Sequence, residues 1–166
     1  MMKYNWQFVL IAFMMIGSFA ACAQTKELHS RMTAYNRVDL SNINERILYL
    51  VNQHRKSIGK SELKMIDVAS GQALQHSKDM MTGRTPFGHD GFDDRANAIK
   101  NSIGFINGAA ENVAYGQMSA EEVVDGWLHS PGHKRNIEGD YNLTGIGVSQ
   151  SRDGVLYFTQ LFVLKK

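Results

Sequence analysis

The chain has 166 residues, of which 43% are hydrophobic and 20% are charged, and its formal net charge at pH 7 is +2. This size suits one compact domain with short accessory segments, and the composition excludes an intrinsically disordered chain. Lysine and arginine do not gather into a dense run, so nucleic acid is not an expected partner.

The start of the chain has the features of an export signal. Lys3 supplies a positive charge, and a mostly apolar stretch follows from Trp6 to Phe19. This stretch is shorter than the roughly 20 residues that a helix needs to cross a bilayer. We therefore expect residues 1–21 to be a cleaved signal peptide and not a membrane-spanning helix.

Cys22 is the only cysteine, so it forms no disulfide within the chain. It follows Ala20 and Ala21 at the end of the apolar stretch, and this arrangement resembles a bacterial lipobox. The resemblance implies cleavage before Cys22 and a lipid on its sulfur atom. The alternative is ordinary cleavage nearby, which leaves a free thiol. Residues 22–40 lack a clear period and are interpreted as a lipid-anchored tether, with the folded domain over residues 41–166.

The spacing of apolar residues predicts four helices. Gly59 is the stop signal for the first helix, and Ser119–Glu122 is a capping-box pattern that marks the start of the fourth. Pro131 ends the fourth helix, because a proline disfavours the helical conformation of the residue before it. The predicted helices cover residues 43–58, 67–81, 92–103 and 119–130.

The last part of the chain changes from helical spacing to strand-like composition. Leu143–Gln150 and Val155–Leu164 are rich in β-branched and aromatic residues, and the Asp153-Gly154 turn signal lies between them. This pattern predicts an antiparallel hairpin, and Glu111–Tyr115 is a candidate for a further short strand. Helices first and strands mostly late favour an α+β domain with one sheet covered by helices.

Four ordered groups of residues between positions 43 and 164 resemble one known family. They are Phe87-Gly88-His89, the Ala-Glu-Asn-Val-Ala stretch Ala110–Ala114, the Ser-Pro-Gly-His-containing stretch Trp127–Ile137, and the pair Gly145–Val148 and Tyr157–Phe162. Together they resemble the CAP superfamily (cysteine-rich secretory, antigen 5, pathogenesis-related 1), particularly its bacterial branch. The resemblance implies an α-β-α sandwich in which helices flank a central antiparallel sheet.

The resemblance also implies a cleft that carries two histidines and two glutamates. His89, Glu111 and His133 match three of these positions, whereas the fourth position holds Ser130, so the set is incomplete. Gln160 on the last strand is a further candidate for lining the cleft, with a hydrogen bond inside the sheet as the alternative.

Two neutral imidazoles, those of His89 and His133, suit Zn²⁺ or a similar divalent cation. Glu111 would contact a metal-bound water or orient an imidazole, and its alternative role is purely structural. Because one carboxylate of the family set is missing, we expect the cation to bind weakly and to exchange.

The leading hypothesis is an exported protein of the bacterial cell envelope that binds a divalent metal or a small ligand and is not, or only weakly, an enzyme. Its expected partners are a membrane, through lipid on Cys22, and an unidentified small ligand or envelope component. The outer membrane is the favoured location, and secretion without an anchor is the alternative.

Two other functions remain open. The first is a metal-assisted hydrolase acting on peptide or cell-wall material, with Glu111 as general base. The second is a structural or host-interaction scaffold whose cleft is vestigial. A Ser130–His133 catalytic pair is less favoured than a local turn or cap at Ser130. The sequence contains no His-Glu-x-x-His motif and no Gly-x-Ser-x-Gly elbow, which excludes the enzyme classes that those motifs define.

Overall fold

A computed structural model describes residue 40, residues 42–116 and residues 119–166. The predicted signal peptide over residues 1–21, the lipidation site Cys22 and the tether up to residue 39 lie outside the described residues. The compact unit begins at Leu40, which packs against the hydrophobic core. Within the described part, no helix is both long enough and apolar enough to cross a membrane.

The described residues form five helices and four strands. Helix α1 covers residues 42–57, and the other helices are α2 (Asp67–Thr82), α3 (Phe92–Ile103), α4 (Ala120–His129) and α5 (Pro131–Ile137). The strands are β1 (Lys64–Met65), β2 (Gly108–Tyr115), β3 (Leu143–Gln150) and β4 (Leu156–Leu164). The α+β class and the four predicted helices are confirmed, and α5 and β1 were not predicted.

The helix ends follow the capping residues. Gly59 and Gly83 have positive φ angles of 77° and 71°, which glycine adopts without strain, and they follow the ends of α1 and α2. The Ser119 hydroxyl accepts a hydrogen bond from the Glu122 amide at 3.2 Å, as the capping-box pattern predicts. Pro131 does end α4, but it also begins α5, because a proline is well suited to the first position of a helix.

The sheet has the strand order β1-β3-β4-β2. Strand β4 pairs antiparallel with β3, as the predicted hairpin requires, and it also pairs antiparallel with β2. The two-residue strand β1 pairs parallel with β3, so the sheet is mixed and not wholly antiparallel. Strand β2 lies at an edge of the sheet.

Helices cover both faces of the sheet, which makes the domain an α-β-α sandwich. Along β4, Phe158 and Phe162 contribute to one core cluster together with Trp127 of α4. Leu161 and Val163 contribute to the other cluster, which contains residues of α2 and α3. This division follows from strand geometry, because successive side chains point to opposite faces.

Helix α2 packs directly on the backbone of β3. A methyl group placed on Gly145 would lie 2.1 Å from the Ala69 carbonyl carbon, and one placed on Gly147 would lie 2.1 Å from the Leu74 nitrogen. Both distances are far below van der Waals contact, so no larger residue fits at either glycine without a shift of the helix. The Ser77 hydroxyl adds a contact at 2.9 Å with the Gly147 carbonyl oxygen.

A buried arginine holds the connection that follows α5. The Arg55 side chain is almost completely buried, and burial lowers its pKa although the charge of Asp140 opposes this effect. Its guanidinium donates hydrogen bonds at 2.6–2.8 Å to four backbone carbonyls, those of Ser61, Ile137, Gly139 and Tyr141. These bonds compensate the loss of water around the charge and fix the end of α5 against α1.

Candidate ligand-binding site

Glu111 is the centre of a buried polar cluster on β2. Its side chain is 2% exposed and points to the sheet face that α2 and α3 cover. Arg95 of α3 donates from Nε to Oε2 and from Nη2 to Oε1, both at 2.8 Å. The paired geometry is that of a bidentate arginine–carboxylate interaction, which is strong and directional. Both carboxylate oxygens of Glu111 are therefore engaged inside the protein.

Arg95 also fixes the loop that precedes α3. Its Nη1 atom donates to the Asp90 carbonyl oxygen at 2.8 Å. Sequence reasoning missed this residue, although its position offered a signal. Arg95 lies three residues after Phe92 and four before Ile99, on the side of α3 that carries apolar residues. A charged residue on an apolar helix face needs a buried partner, and Glu111 is that partner.

His89 lies in the loop between α2 and α3 and contacts Glu111 directly. Its Nδ1 atom is 3.0 Å from Glu111 Oε1, and 55% of its side chain is exposed. Next to an ionised carboxylate, Nδ1 carries a hydrogen and donates it, and Nε2 makes no hydrogen bond to a described residue. A carboxylate that orients a histidine in this way is a common support for metal-binding imidazoles.

His133 lies on α5, and its ring is partly buried without a hydrogen bond to any described residue. Burial lowers the pKa of His133, and the charge of nearby His89 lowers it further. The ring is therefore neutral at pH 7. Asn112, the residue after Glu111 on β2, donates from Nδ2 to the His133 carbonyl oxygen at 3.1 Å, so this part of α5 lies beside the strand that carries Glu111. The structure thus gathers His89, Glu111 and His133 in one region, where the sequence motifs placed them.

The Trp127–Ile137 motif attaches α4 and α5 to the edge strand β2. Asn136 donates from Nδ2 to the Glu111 carbonyl oxygen at 3.1 Å and to Asn112 Oδ1 at 2.9 Å. Trp127 donates from Nε1 to the Val113 carbonyl oxygen at 3.3 Å. These contacts satisfy backbone groups that lack a neighbouring strand, and they set the position of His133 relative to Glu111.

Two other predicted site residues are placed differently. Ser130 lies between α4 and α5, and its hydroxyl makes no capping bond and no hydrogen bond to His133 among the described residues. Gln160 pairs with Asn112, so its side chain points to the sheet face opposite Glu111. It is fully buried and donates from Nε2 to Thr144 Oγ1 at 3.2 Å. Gln160 is therefore an interior residue and does not face a solvent-accessible cleft.

The remaining described histidines have structural contacts. His76 of α2 is 2% exposed, and its Nε2 atom lies 2.9 Å from the Gly88 carbonyl oxygen. Burial is the main reason that the pKa of His76 is lowered. His54 pairs with Glu138 at 2.9 Å, and His129 is highly exposed. His76 also lies 3.9 Å from Glu111 Oε1, which sequence reasoning did not anticipate.

The donor atoms available for a metal ion are few. No group of three or more His, Cys, Asp or Glu side chains in the described part of the chain is arranged to hold a metal. Because Arg95 occupies both oxygens of Glu111, the free donors are the His89 and His133 imidazoles. Two imidazoles fit a weakly held ion such as Zn²⁺, whose remaining positions would be open to water or ligand oxygen.

Comparison with known proteins agrees with this architecture. The chain is 32% identical over 123 residues to the uncharacterized protein YkwD of Bacillus subtilis, and the match covers 73% of this chain and 47% of that relative. The chain therefore spans about half the length of this relative.

Solved structures match the fold at lower identity. An outer surface protein of Borrelia burgdorferi has a TM-score of 0.65 at 22% identity, with coverage of 77% of this chain and 96% of that one. An extracellular protein of Bacillus anthracis with an SCP domain has a TM-score of 0.63 at 25% identity, with coverage of 75% and 41%. The model of the cysteine-rich secretory protein family matches residues 48–162. The chain therefore belongs to the CAP family of cysteine-rich secretory proteins.

Proposed function

We propose that the chain is an exported protein of the bacterial cell envelope whose CAP domain binds a divalent metal ion or a small ligand at His89 and His133. The observation that carries this proposal is the state of the two imidazoles. Glu111, held by Arg95, orients the His89 ring and leaves Nε2 free, while the His133 ring has no hydrogen-bond partner among the described residues. The free Nε2 atom of His89 and the His133 ring are therefore available as nitrogen donors for a soft or borderline cation.

The neighbouring residues of the Trp127–Ile137 motif strengthen this assignment. Trp127 and Asn136 hold β2, Pro131 starts α5, and Ile137 is buried in the core. Each of these residues has a structural role that explains its presence. The carbonyl oxygen of His133 accepts a hydrogen bond from Asn112, but its ring has no hydrogen bond to a described residue and is available for a ligand.

The test is a zinc titration of the purified protein by calorimetry, together with native mass spectrometry. We expect His89→Ala and His133→Ala each to weaken Zn²⁺ binding at least tenfold, whereas His129→Ala, a control at an exposed histidine, leaves it unchanged. Equal retention of zinc by all three variants would refute the proposed site. Absence of binding by the unaltered protein would favour the vestigial-cleft scaffold.

A hydrolase with Glu111 as general base has weaker support. To take up a proton, the carboxylate would have to give up at least one of its bonds to Arg95 in a buried environment. Turnover of peptide or cell-wall fragments that is lost in a folded Glu111→Gln variant would reverse this preference.

The location belongs to the same proposal. The structural neighbours are described as an outer surface protein and an extracellular protein, and the apolar start of this chain has the features of an export signal. We infer that a lipid on Cys22 tethers the domain to a membrane. Mass spectrometry of the envelope form should show the added lipid mass, and Cys22→Ser should release the protein from the membrane fraction.

A further inference from the structure

Asn112 of β2 is a polar residue in an apolar environment. Its side chain is fully buried, and strand alternation directs it to the sheet face opposite Glu111, where the core cluster contains Trp127 and Ile137. Asparagine is depleted in strands, and a buried amide costs free energy unless its hydrogen bonds are satisfied. The partners of this amide therefore indicate why an asparagine stands here.

Both side-chain hydrogen bonds of Asn112 run to α5. Its Nδ2 atom donates to the His133 carbonyl oxygen at 3.1 Å, and its Oδ1 atom accepts from Asn136 Nδ2 at 2.9 Å. His133 and Asn136 are three residues apart, so they lie on the same side of the helix. Attachment at two points along one side fixes both the position of α5 along β2 and its rotation about its own axis. The direction of the His133 ring is fixed with them.

The two imidazoles of the proposed site are supported by consecutive residues of one strand. Glu111 contacts the His89 ring at 3.0 Å from the face of the sheet that α2 and α3 cover. Asn112, the next residue, holds the main chain of His133 on the opposite face. Neighbouring residues of a strand are about 3.3 Å apart along its axis and point to opposite faces. A single rigid segment of β2 therefore sets where one histidine lies relative to the other.

We propose that Asn112 is a positioning residue of the imidazole site, which together with Glu111 fixes the separation of His89 and His133 so that one metal ion binds both rings. This inference rests on the proposed function at those two histidines. When two donors are held in place, binding to the second follows binding to the first within the same molecule, at a high effective concentration. Loss of the Asn112 bonds would leave two independent imidazoles, each of which holds a cation weakly.

The test is a Zn²⁺ titration of the full-length protein in detergent, followed through the NMR signals of the histidine rings. In the unaltered protein the His89 and His133 signals should shift together and reach their end point with one equivalent of zinc. In Asn112→Ala the affinity should fall at least tenfold, and the two rings should respond at different zinc concentrations. Separate responses would show that the rings no longer share one ion.

Asn52→Ala is a matched control for a general loss of stability. The Asn52 side chain also makes two hydrogen bonds, from Nδ2 to the Leu63 carbonyl oxygen at 3.0 Å and to Oδ1 from the Leu63 amide at 2.8 Å. These bonds join α1 to β1 and involve neither His89 nor His133. The control variant should keep the zinc affinity and the joint response of the two rings. Equal losses of affinity in both variants, or unchanged zinc binding in Asn112→Ala, would overturn the proposal.

A second measurement needs no zinc. Hydrogen exchange of the α5 amides should be faster in Asn112→Ala than in the unaltered protein, because the helix loses its attachment to β2, and it should be unchanged in Asn52→Ala. Unchanged exchange of α5 in Asn112→Ala would overturn the positioning role. If the unaltered protein binds no zinc, the proposed metal site fails, whereas the exchange result still decides whether Asn112 fixes the helix that carries His133.

Discussion

Replacement of Arg95 by methionine tests the buried ion pair on which the site depends. Methionine is an unbranched apolar side chain that cannot donate a hydrogen bond. The replacement therefore removes both arginine hydrogen bonds to Glu111 and leaves its carboxylate buried at 2% exposure. Breaking a buried pair in this way costs about 3–5 kcal/mol, because the buried carboxylate loses its cation and keeps only the hydrogen bond from His89. We expect the free energy of unfolding to fall by that amount.

The assay is urea denaturation followed by circular dichroism, in a double-mutant cycle of Arg95→Met, Glu111→Gln and both together. If the two side chains act as a pair, the double variant should lose less stability than the sum of the single variants. Arg46→Met is the matched control, since Arg46 pairs with Glu121 at the surface, where both side chains are about half exposed. That change should cost below about 1 kcal/mol. Strictly additive losses in the cycle would refute the coupling of Arg95 and Glu111.

Three further predictions concern the scaffold. Gly147→Ala should lower the free energy of unfolding by about 1–3 kcal/mol, because the added methyl group overpacks against α2. Gly126→Ala is the control: this glycine faces open space on α4, and the change should raise the free energy of unfolding by up to about 1 kcal/mol. A Gly147→Ala variant of unchanged stability in urea denaturation would contradict the close packing. Because burial lowers the pKa of His76 in the folded protein, the unfolded chain binds a proton at this residue first as the pH falls below about 6.5. The stability that the neutral buried ring contributes is therefore complete above about pH 6.5 and is lost as the pH falls toward the folded-state pKa. His76→Gln should therefore reduce the difference in unfolding free energy between pH 7.5 and 5.5, and an unchanged difference would argue against a neutral buried ring. Arg55→Met leaves four carbonyls unpaired and should cost at least about 3 kcal/mol, measured by the same assay, with a loss below about 1 kcal/mol as the contrary result.

Local patterns were sufficient to predict most of the secondary structure. Apolar spacing and capping residues located four helices, and the turn signal at Asp153-Gly154 located the β3–β4 hairpin. Helix α5 was missed because Pro131 was interpreted only as a terminator, although the same ring geometry favours the start of a helix. Strand β1 has only two residues and pairs parallel with β3, which is distant in the chain, so no local sequence pattern predicts it.

The site was only partly predictable, because its contacts join residues far apart in the chain. The motifs identified His89, Glu111 and His133, but the arginine that holds Glu111 comes from a third helix, 16 residues before it. Gln160 shows the opposite difficulty. Its place on the last strand made it a candidate for lining the cleft, but the pairing register with Asn112 assigns it to the other face of the sheet. Register depends on the assembled sheet, and a single strand does not reveal it.

The contacts of Trp127 and Asn136 with the carbonyls of Val113 and Glu111 have a consequence for assembly. An uncovered border strand offers a template on which a second polypeptide can continue the sheet. At these two positions the template is already occupied by side chains of the same molecule. A strand from a second chain, in an oligomer or a fibril, therefore cannot pair with the Glu111 and Val113 carbonyls of β2. A partner that contacts β2 at these two positions would meet the side chains of Trp127 and Asn136 and not free main-chain carbonyls.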